Sequence, residues 1–141
     1  AEPAKSAVLS EVAGACLLFP GDDAVTLRPS PLASRDPLPT GEGFSRVIVL
    51  DGTWRQTRKM FAKLPALHGV PKVQLPAGAA KVLRLRESTF EEGRSTLEAI
   101  AETIELLEGR EVAAPLYALH SDYVERVFRA RGVWEQKRSR I

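Results

Sequence analysis

The sequence predicts an α/β protein with a mostly parallel sheet flanked by helices. A pattern in the sequence and a general rule of strand pairing lead to this fold class. Short apolar runs that end at glycine, proline or aspartate alternate with longer segments of helical spacing. Strands that alternate with helices in this way favour parallel pairing through helical connections. The chain has 141 residues, 44% of them hydrophobic, which is enough for one domain with a buried core.

The first two predicted strands are separated by a long loop. Residues 13–19 form an apolar run that ends at Pro20 and Gly21. Residues 46–50 form the second strand, whose β-branched run stops at Asp51. Between them, four prolines and two glycines predict an irregular loop over residues 28–43. A loop of this length within one domain is usually functional or mobile.

Residues 53–64 have the spacing of an amphipathic helix, which Pro65 ends. Its inward stripe is expected to hold Trp54, Thr57, Phe61 and Leu64. The opposite stripe carries cations and no acid. Because such a stripe repels itself, we expect it to bind a polyanion rather than to serve solubility alone. The cations are Arg55, Arg58, Lys59 and Lys63.

Two further short strands are predicted at residues 71–75 and 81–86. In the second of them arginine alternates with leucine, so Arg84 and Arg86 share one face. Adjacent guanidinium groups on a half-buried sheet need anions. An internal carboxylate explains these two arginines at least as well as a ligand does.

The last third of the chain is predicted to be helical. The capping-box sequence from Ser95 to Glu98 opens one helix, and Gly109 ends it. Ser95 and Thr96 either only start this helix or bring backbone N–H groups to a small ligand. Another helix is expected from about residue 116 to residue 131. Expected water-facing acids are Glu98, Glu102, Glu105 and Glu108, and expected inward residues of the last helix are Leu116, Leu119, Tyr123, Val127 and Ala130.

Charge is strongly segregated along the chain. Residues 46–87 hold nine Lys/Arg against two Asp/Glu, and residues 126–141 hold six cations against one acid. Residues 91–111 hold seven acids against two arginines. If the two basic blocks adjoin, they form a positive face suited to a polyanion. Solvated helix faces with a charged tail are the simpler explanation, and we prefer it for the tail alone.

Composition argues against several classes of protein. No apolar run approaches the roughly 18 residues of a membrane span, and the first residues lack the apolar core of a signal peptide. Cys16 is the single cysteine, so neither an internal disulfide nor a cysteine-cluster metal site is expected. His68 and His120 are far apart in the sequence and have no cysteine or cluster of acids nearby, so neither is expected to belong to a metal site or a nucleophilic triad. We therefore expect a cytoplasmic setting and no metal in this chain.

The junction between the second strand and the basic helix is the best candidate site, because open α/β folds bind ligands at such junctions. Asp51 either caps the helix or accepts a proton or a substrate N–H. Gly52 either permits a tight turn or lets a ligand approach the backbone. Trp54 either packs in the core or offers a ring on which a base or an adenine stacks.

The same residues resemble the signature of the DTW-domain proteins. The resemblance rests on residues 50–54 (Leu-Asp-Gly-Thr-Trp), followed by Arg-Lys-Met at 58–60. It continues in Val-Leu-Arg-Leu-Arg-Glu at 82–87 and Ser-Thr-Leu-Glu-Ala at 95–99. A similar Leu-Phe-Pro-Gly stands earlier, at 18–21. These pieces occur in family order over about residues 15–135.

The resemblance implies a tRNA-uridine aminocarboxypropyltransferase that uses S-adenosylmethionine (SAM) as donor and tRNA, or alternatively rRNA, as acceptor. The family is similar to an rRNA aminocarboxypropyltransferase family and to SPOUT-type RNA methyltransferases, which implies a SPOUT-like fold and allows a C-terminal trefoil knot. The implied catalytic residue is Asp51. The implied SAM-binding residues are Leu50, Gly52, Thr53, Trp54, Arg86, Ser95 and Thr96. The implied RNA-binding residues are Arg55, Arg58, Lys59, Lys63 and Arg84.

One departure from the family pattern keeps other functions open. DTW proteins usually carry an upstream cysteine-rich segment and an Asn-Thr-Gly-Arg type motif, and this sequence has neither. We expect residues 1–141 to be a single DTW-type domain that lacks the N-terminal part. A non-catalytic RNA-binding relic and a SAM-dependent RNA methyltransferase remain the alternatives.

Overall fold

A computed structural model describes residues 14–29, 45–78 and 94–139. The chain divides into two compact units, Ala1–Leu75 and Pro76–Ile141. The first unit contains a parallel sheet and a helix, and the second is helical in its described part. The predicted strand at 81–86 and most of the predicted loop at 28–43 lie outside the described residues.

The sheet of the first unit is parallel throughout its described strands. These are β1 (Ala15–Leu18), β2 (Val25–Thr26), β3 (Arg46–Val49) and β4 (Lys72–Gln74), in the order β2-β4-β1-β3. Each of the three pairings is parallel, and Leu17 of β1 pairs with Ile48 of β3 on one side and Lys72 of β4 on the other. The predicted α/β class with a parallel sheet is confirmed. β2 was not predicted, because two exposed residues carry no periodic signal.

The central strand is buried on both faces, as its uninterrupted apolar sequence predicts. Ala15, Cys16 and Leu17 are buried, and Leu17 forms a core cluster with Leu67 and Val70. Burial raises the pKa of the Cys16 thiol, which keeps it protonated and inert. Phe19, Ile48, Leu50 and Phe61 are partly buried against the same cluster.

Helix α1 (Trp54–Lys63) follows β3 directly and confirms the predicted basic helix. Its C-cap is Leu64, and Pro65 begins a short 3₁₀ helix at Pro65–Leu67. The imidazole Nε2 of His68, the residue after the 3₁₀ helix, donates to the Phe61 carbonyl oxygen of α1 at 2.8 Å. Pro65 therefore ends α1, and this bond keeps the 3₁₀ helix next to it.

The second unit contains α2 (Thr96–Glu108), α3 (Arg110–Ala130) and the short α4 (Trp134–Arg138). Helix α2 begins and ends where the sequence predicted, with Ser95 as N-cap and Gly109 as C-cap. Gly109 has φ of +100°, a conformation that favours glycine. Helix α4 was not predicted, since its five residues were interpreted as a charged tail.

Helix α3 differs from the prediction in its start and in its buried face. It begins at Arg110 rather than near Leu116, so the helix includes Pro115, which lacks the N–H that would bond to the Glu111 carbonyl. The predicted inward residues Leu119 and Tyr123 are about half exposed, and Ala130 is exposed too. The stripe that is buried consists of Ala113, His120, Val124 and Phe128. Because this stripe includes a small residue and a histidine, hydrophobicity alone predicts the wrong buried face for the helix.

The acids of α2 also differ from the expectation that they face water. Glu98 is buried, and Glu102 and Glu105 are half-buried, whereas Glu108 is exposed. The physical reason is that each of the first three has a polar partner within the unit, which offsets the cost of burial. None of the described helices is long and apolar enough to cross a membrane.

Candidate functional site

The turn from Leu50 to Thr53 lies at the carboxyl end of β3, at the edge where a parallel sheet of this kind binds ligands. Leu50 packs against the core cluster and fixes the start of the turn. The Asp51 side chain, one residue later, is exposed. The chain thus changes from core to surface within two residues and presents a carboxylate at the sheet edge.

Gly52 is required by the turn itself. Its φ of +143° is unfavourable for any residue with a Cβ, and an added Cβ would lie 3.0 Å from Oε1 of Gln56 and 3.1 Å from its Cβ. Of the two sequence-based explanations for this glycine, the tight turn is therefore sufficient. The missing side chain leaves room for Gln56 to fold back over the turn.

Thr53, and not Asp51, caps helix α1. The Thr53 hydroxyl accepts from the Gln56 backbone N–H at 3.3 Å, and the Gln56 side-chain oxygen accepts from the Thr53 N–H at 2.8 Å. This reciprocal pair is a capping box. The interpretation of Asp51 as N-cap is wrong, because the capping position is two residues further on. The N-cap side chain of α1 is therefore the Thr53 hydroxyl.

Trp54 is the first residue of α1 and combines features of both sequence-based interpretations. Its ring centroid lies 5.1 Å from that of Phe19, which in turn stacks on Phe61 at 4.8 Å. Through Phe19 the indole rests on the core cluster. Trp54 nevertheless keeps 41% of its surface exposed. The indole thus contacts Phe19 and keeps part of its surface exposed, and its role as a stacking ring stays a prediction.

Lys72 supports this aromatic group from β4. Its ammonium lies 4.7 Å from the Phe61 ring centroid and 5.6 Å from that of Phe19. The same nitrogen donates to Asp23 at 2.9 Å, which lowers the pKa of that carboxyl. The lysine is thus neutralised within the structure and ties the turn after β1 to the sheet.

The cations of α1 are in the opposite situation. All four are exposed, and in the described ranges 14–29, 45–78 and 94–139 none of them is paired with a carboxylate. Like charges four residues apart on a helix destabilise it slightly. No described carboxylate offsets this repulsion, and the binding of a polyanion by the stripe stays a prediction. Its members are Arg55, Arg58, Lys59 and Lys63.

Ser95 and Thr96 belong to the second unit, at the start of α2. The Ser95 hydroxyl accepts from the Glu98 N–H at 3.2 Å, and Glu98 Oε2 accepts from the Ser95 N–H at 2.8 Å. The preceding residue, Arg94, forms an ion pair with Glu102 and donates to the Pro76 carbonyl oxygen at 2.7 Å. The start of α2 is thus held by a second capping box and by an arginine anchor.

The predicted site residues therefore fall into two groups. Residues 50–54 and the four cations of α1 adjoin one another in the first unit, and Ser95 and Thr96 stand in the second. Arg84 and Arg86 lie outside the described residues, and their assignments stay predictions. Within the part of the chain that is described, no group of three or more His, Cys, Asp or Glu side chains is arranged to hold a metal.

Sequence reasoning missed the residues that support the site. Sequence patterns assign Phe19 to a strand and Phe61 to a helix stripe, whereas the contacts of Phe19 with Trp54 and with Phe61 join segments more than 30 residues apart. Lys72 gave no signal, because lysine at a strand start is ordinary. Contacts of this kind depend on the strand order β4-β1-β3, which sequence periodicity does not contain.

The chain is similar to a protein family and to individual proteins. The family model of the DTW domain matches residues 2–129 of the chain. The chain is also similar to tRNA-uridine aminocarboxypropyltransferase 2 of Drosophila melanogaster, at 32% identity over 94 residues. That alignment covers 67% of this chain and 34% of the fly protein, so the chain spans about a third of its relative. No solved structure matches the chain.

Proposed function

The chain belongs to the DTW-domain family, and from that premise we propose that it transfers the 3-amino-3-carboxypropyl group of SAM to a ring nitrogen of a uridine in tRNA. The observation that carries the proposal is the arrangement at residues 50–56. There an exposed carboxylate and an exposed indole adjoin a basic helix whose cations pair with no carboxylate among the described residues. The name of the fly relative supports tRNA and uridine as the acceptor. Because tRNA is the acceptor, the proposal includes a cytoplasmic setting.

The proposed transfer requires a general base and a fixed orientation of the reacting atoms. The uridine nitrogen forms a bond to the methylene carbon next to the sulfonium, the carbon–sulfur bond breaks, and methylthioadenosine leaves with the electron pair. The N–H proton of the uridine must go to an acceptor. Asp51 is our candidate for that acceptor, since its carboxylate is exposed at the sheet edge and does not cap the helix. Alignment of nitrogen, carbon and sulfur is mainly an orientation effect.

Trp54 is proposed to stack on the uridine base or on the adenine of the donor. Its anchoring on Phe19 limits the entropy that binding would cost, because the ring is already held on one side. Leu50, Gly52 and Thr53 are proposed to bind the donor through backbone groups. This restriction follows from the geometry, since Leu50 is packed, Gly52 has no side chain and the Thr53 hydroxyl bonds to Gln56.

The remaining assignments come from the family resemblance. Ser95, Thr96 and Arg86 are proposed for the donor, with Arg86 directed to its carboxylate. Arg84 and the cations of α1 are proposed for RNA phosphates. Contacts of this kind position the RNA without reading its sequence. Which uridine is modified then depends on the shape of the RNA around it.

The test uses the full chain, tRNA and two preparations of SAM, one labelled in the carboxyl group of the methionine chain and the other in the methyl group. After digestion, nucleosides are separated and counted. We expect the carboxyl label in a modified uridine and none of the methyl label. Methyl label in RNA would make the chain a methyltransferase. A chain that shifts tRNA in a gel but gives no heat with SAM would be an RNA-binding relic.

Asp51→Asn is expected to slow the transfer at least about 100-fold, the lower end of what a general base contributes. Binding of SAM and tRNA should change little, because the amide keeps the size of the carboxylate. Asp22→Asn is the matched control, since Asp22 is another exposed carboxylate of the same unit. Full activity in Asp51→Asn would remove this residue from the mechanism.

A further inference from the structure

Two buried titratable side chains meet between α2 and α3. Glu98 is 6% exposed and His120 is 8% exposed, and His120 Nε2 lies 3.8 Å from Glu98 Oε2. The proposed reaction uses neither of them. Their neighbours on α3 in the buried stripe, Ala113, Val124 and Phe128, are apolar.

The Glu98 oxygen near His120 is also the one that holds the start of α2. Oε2 accepts from the Ser95 N–H at 2.8 Å, while the Ser95 hydroxyl accepts from the Glu98 N–H. A buried carboxylate is stable only when polar groups surround it. The carboxylate oxygen nearest to His120 is thus the same atom that accepts from the Ser95 N–H.

The other capping box of this protein provides an internal comparison. At the start of α1, Thr53 and Gln56 form the same reciprocal bonds with both residues exposed and a neutral amide in place of the carboxylate. A capping box therefore needs neither burial nor a histidine. For packing alone, an apolar residue at position 120 would cost less than a desolvated imidazole. The histidine has a role beyond starting a helix.

We propose that His120 is a positioning residue for the donor site: through Glu98 it fixes the backbone of Ser95 and thereby the place of Ser95 and Thr96. The inference rests on the proposed function, in which these two residues bind SAM. It adds a residue from α3, 24 positions beyond Thr96, that the family motifs do not include. His120 itself need not touch the donor.

The experiment compares three variants of the full chain with the unmodified chain. His120→Leu keeps the volume and removes the polar group, and His120→Gln returns a side-chain N–H to the same region. Tyr117→Phe is the control, because it removes a different polar contact of α3 to α2, the bond from the Tyr117 hydroxyl to Glu105. The readouts are the SAM dissociation constant, the tRNA dissociation constant and the Ser95 amide resonance in a ¹⁵N-labelled sample.

For His120→Leu we expect SAM binding about tenfold weaker, the usual effect of one lost buried polar contact, with tRNA binding unchanged. The Ser95 amide proton should move and exchange faster with solvent. His120→Gln should recover most of both effects, and Tyr117→Phe should show neither. A purely structural histidine would not give recovery by glutamine of the SAM affinity.

The outcomes separate this inference from the function on which it rests. If the unmodified chain binds SAM and His120→Leu binds it equally well, the inference is wrong and the proposed function stands. If the unmodified chain binds no SAM, the proposed function is wrong. An unchanged Ser95 resonance in both His120 variants would overturn the coupling through Glu98 whether or not SAM binds.

Discussion

At the scale of single residues, the candidate site depends on where each polar group finds its partner. Thr53 and Gln56 satisfy the start of α1, and this leaves the carboxylate of Asp51 outside the cap. Lys72 is neutralised by Asp23, whereas the cations of α1 are not neutralised by any described carboxylate. The candidate site thus combines groups that hold the local structure, such as Thr53 and Lys72, with cations that no described carboxylate neutralises.

Gly52→Ala is expected to destabilise the protein by about 2 kcal/mol, because it adds backbone strain and places a methyl group against Gln56. Gly78→Ala is the matched control. Gly78 also has a positive φ, of +88°, but no atom within 4 Å of the added Cβ. Urea unfolding of both variants gives the two free energies. Equal losses would mean that the close approach of Gln56 to Gly52 is unimportant.

At the scale of elements, helix α1 is both a support and a surface. Thr57 is buried and Phe61 packs on Phe19, whereas the cations occupy the exposed side. The cations of helix α3 differ because they are paired: Arg126 forms an ion pair with Asp122, and Arg129 forms one with Glu125. The two helices therefore have similar numbers of basic residues. The arginines of α3 form ion pairs, whereas the cations of α1 have no described carboxylate partner.

This difference predicts which helix binds RNA. Changing Arg58 and Lys59 together to glutamine should weaken tRNA binding about tenfold or more at moderate salt and reduce the salt dependence of binding by about two charges. The control is the double change of Arg126 and Arg129 to glutamine, whose effect should be small because both are paired. Gel-shift titrations at several salt concentrations measure both quantities. A stronger effect in the control would place the RNA on α3.

Element by element, the sequence predicted what depends on local rules. The capping box at Ser95, the C-cap at Gly109 and the end of α1 before Pro65 all follow from residue type and spacing, and all are confirmed. The buried face of α3 was wrong because its partner helix selects Ala113 and His120 over Leu119 and Tyr123. When a helix carries apolar residues on two sides, the sequence does not show which side is buried, and the packing of the neighbouring helix decides it.

At the scale of the whole molecule, the described sheet holds the candidate turn in place. β1 is its central strand, with β3 on one side and β4 on the other, and Leu17 is fully buried between them. The turn at residues 50–53 continues from β3, and the aromatic support of Trp54 continues from β1 at Phe19. The parallel pairing of these two strands therefore brings Phe19 to the same sheet edge as Asp51.

Leu17→Ala tests that dependence. We expect a loss of about 2–5 kcal/mol of stability, the usual range for removing a buried leucine, with a lower melting temperature. Val25→Ala is the control on the edge strand, because Val25 is 38% exposed and its removal should cost well under half as much. Similar losses for both variants would show that β1 is not the centre of the core.

The sequence by itself determined the fold class, the ends of α1 and α2 and the position of the candidate turn. These features depend on interactions between residues close together in the chain. Only the tertiary structure decided that Phe19 supports Trp54 and that Glu98 and His120 share a buried contact. The physical reason is that both contacts join segments that lie far apart in the chain. Strand order and helix packing bring these segments together, and periodicity along the chain carries no information about either.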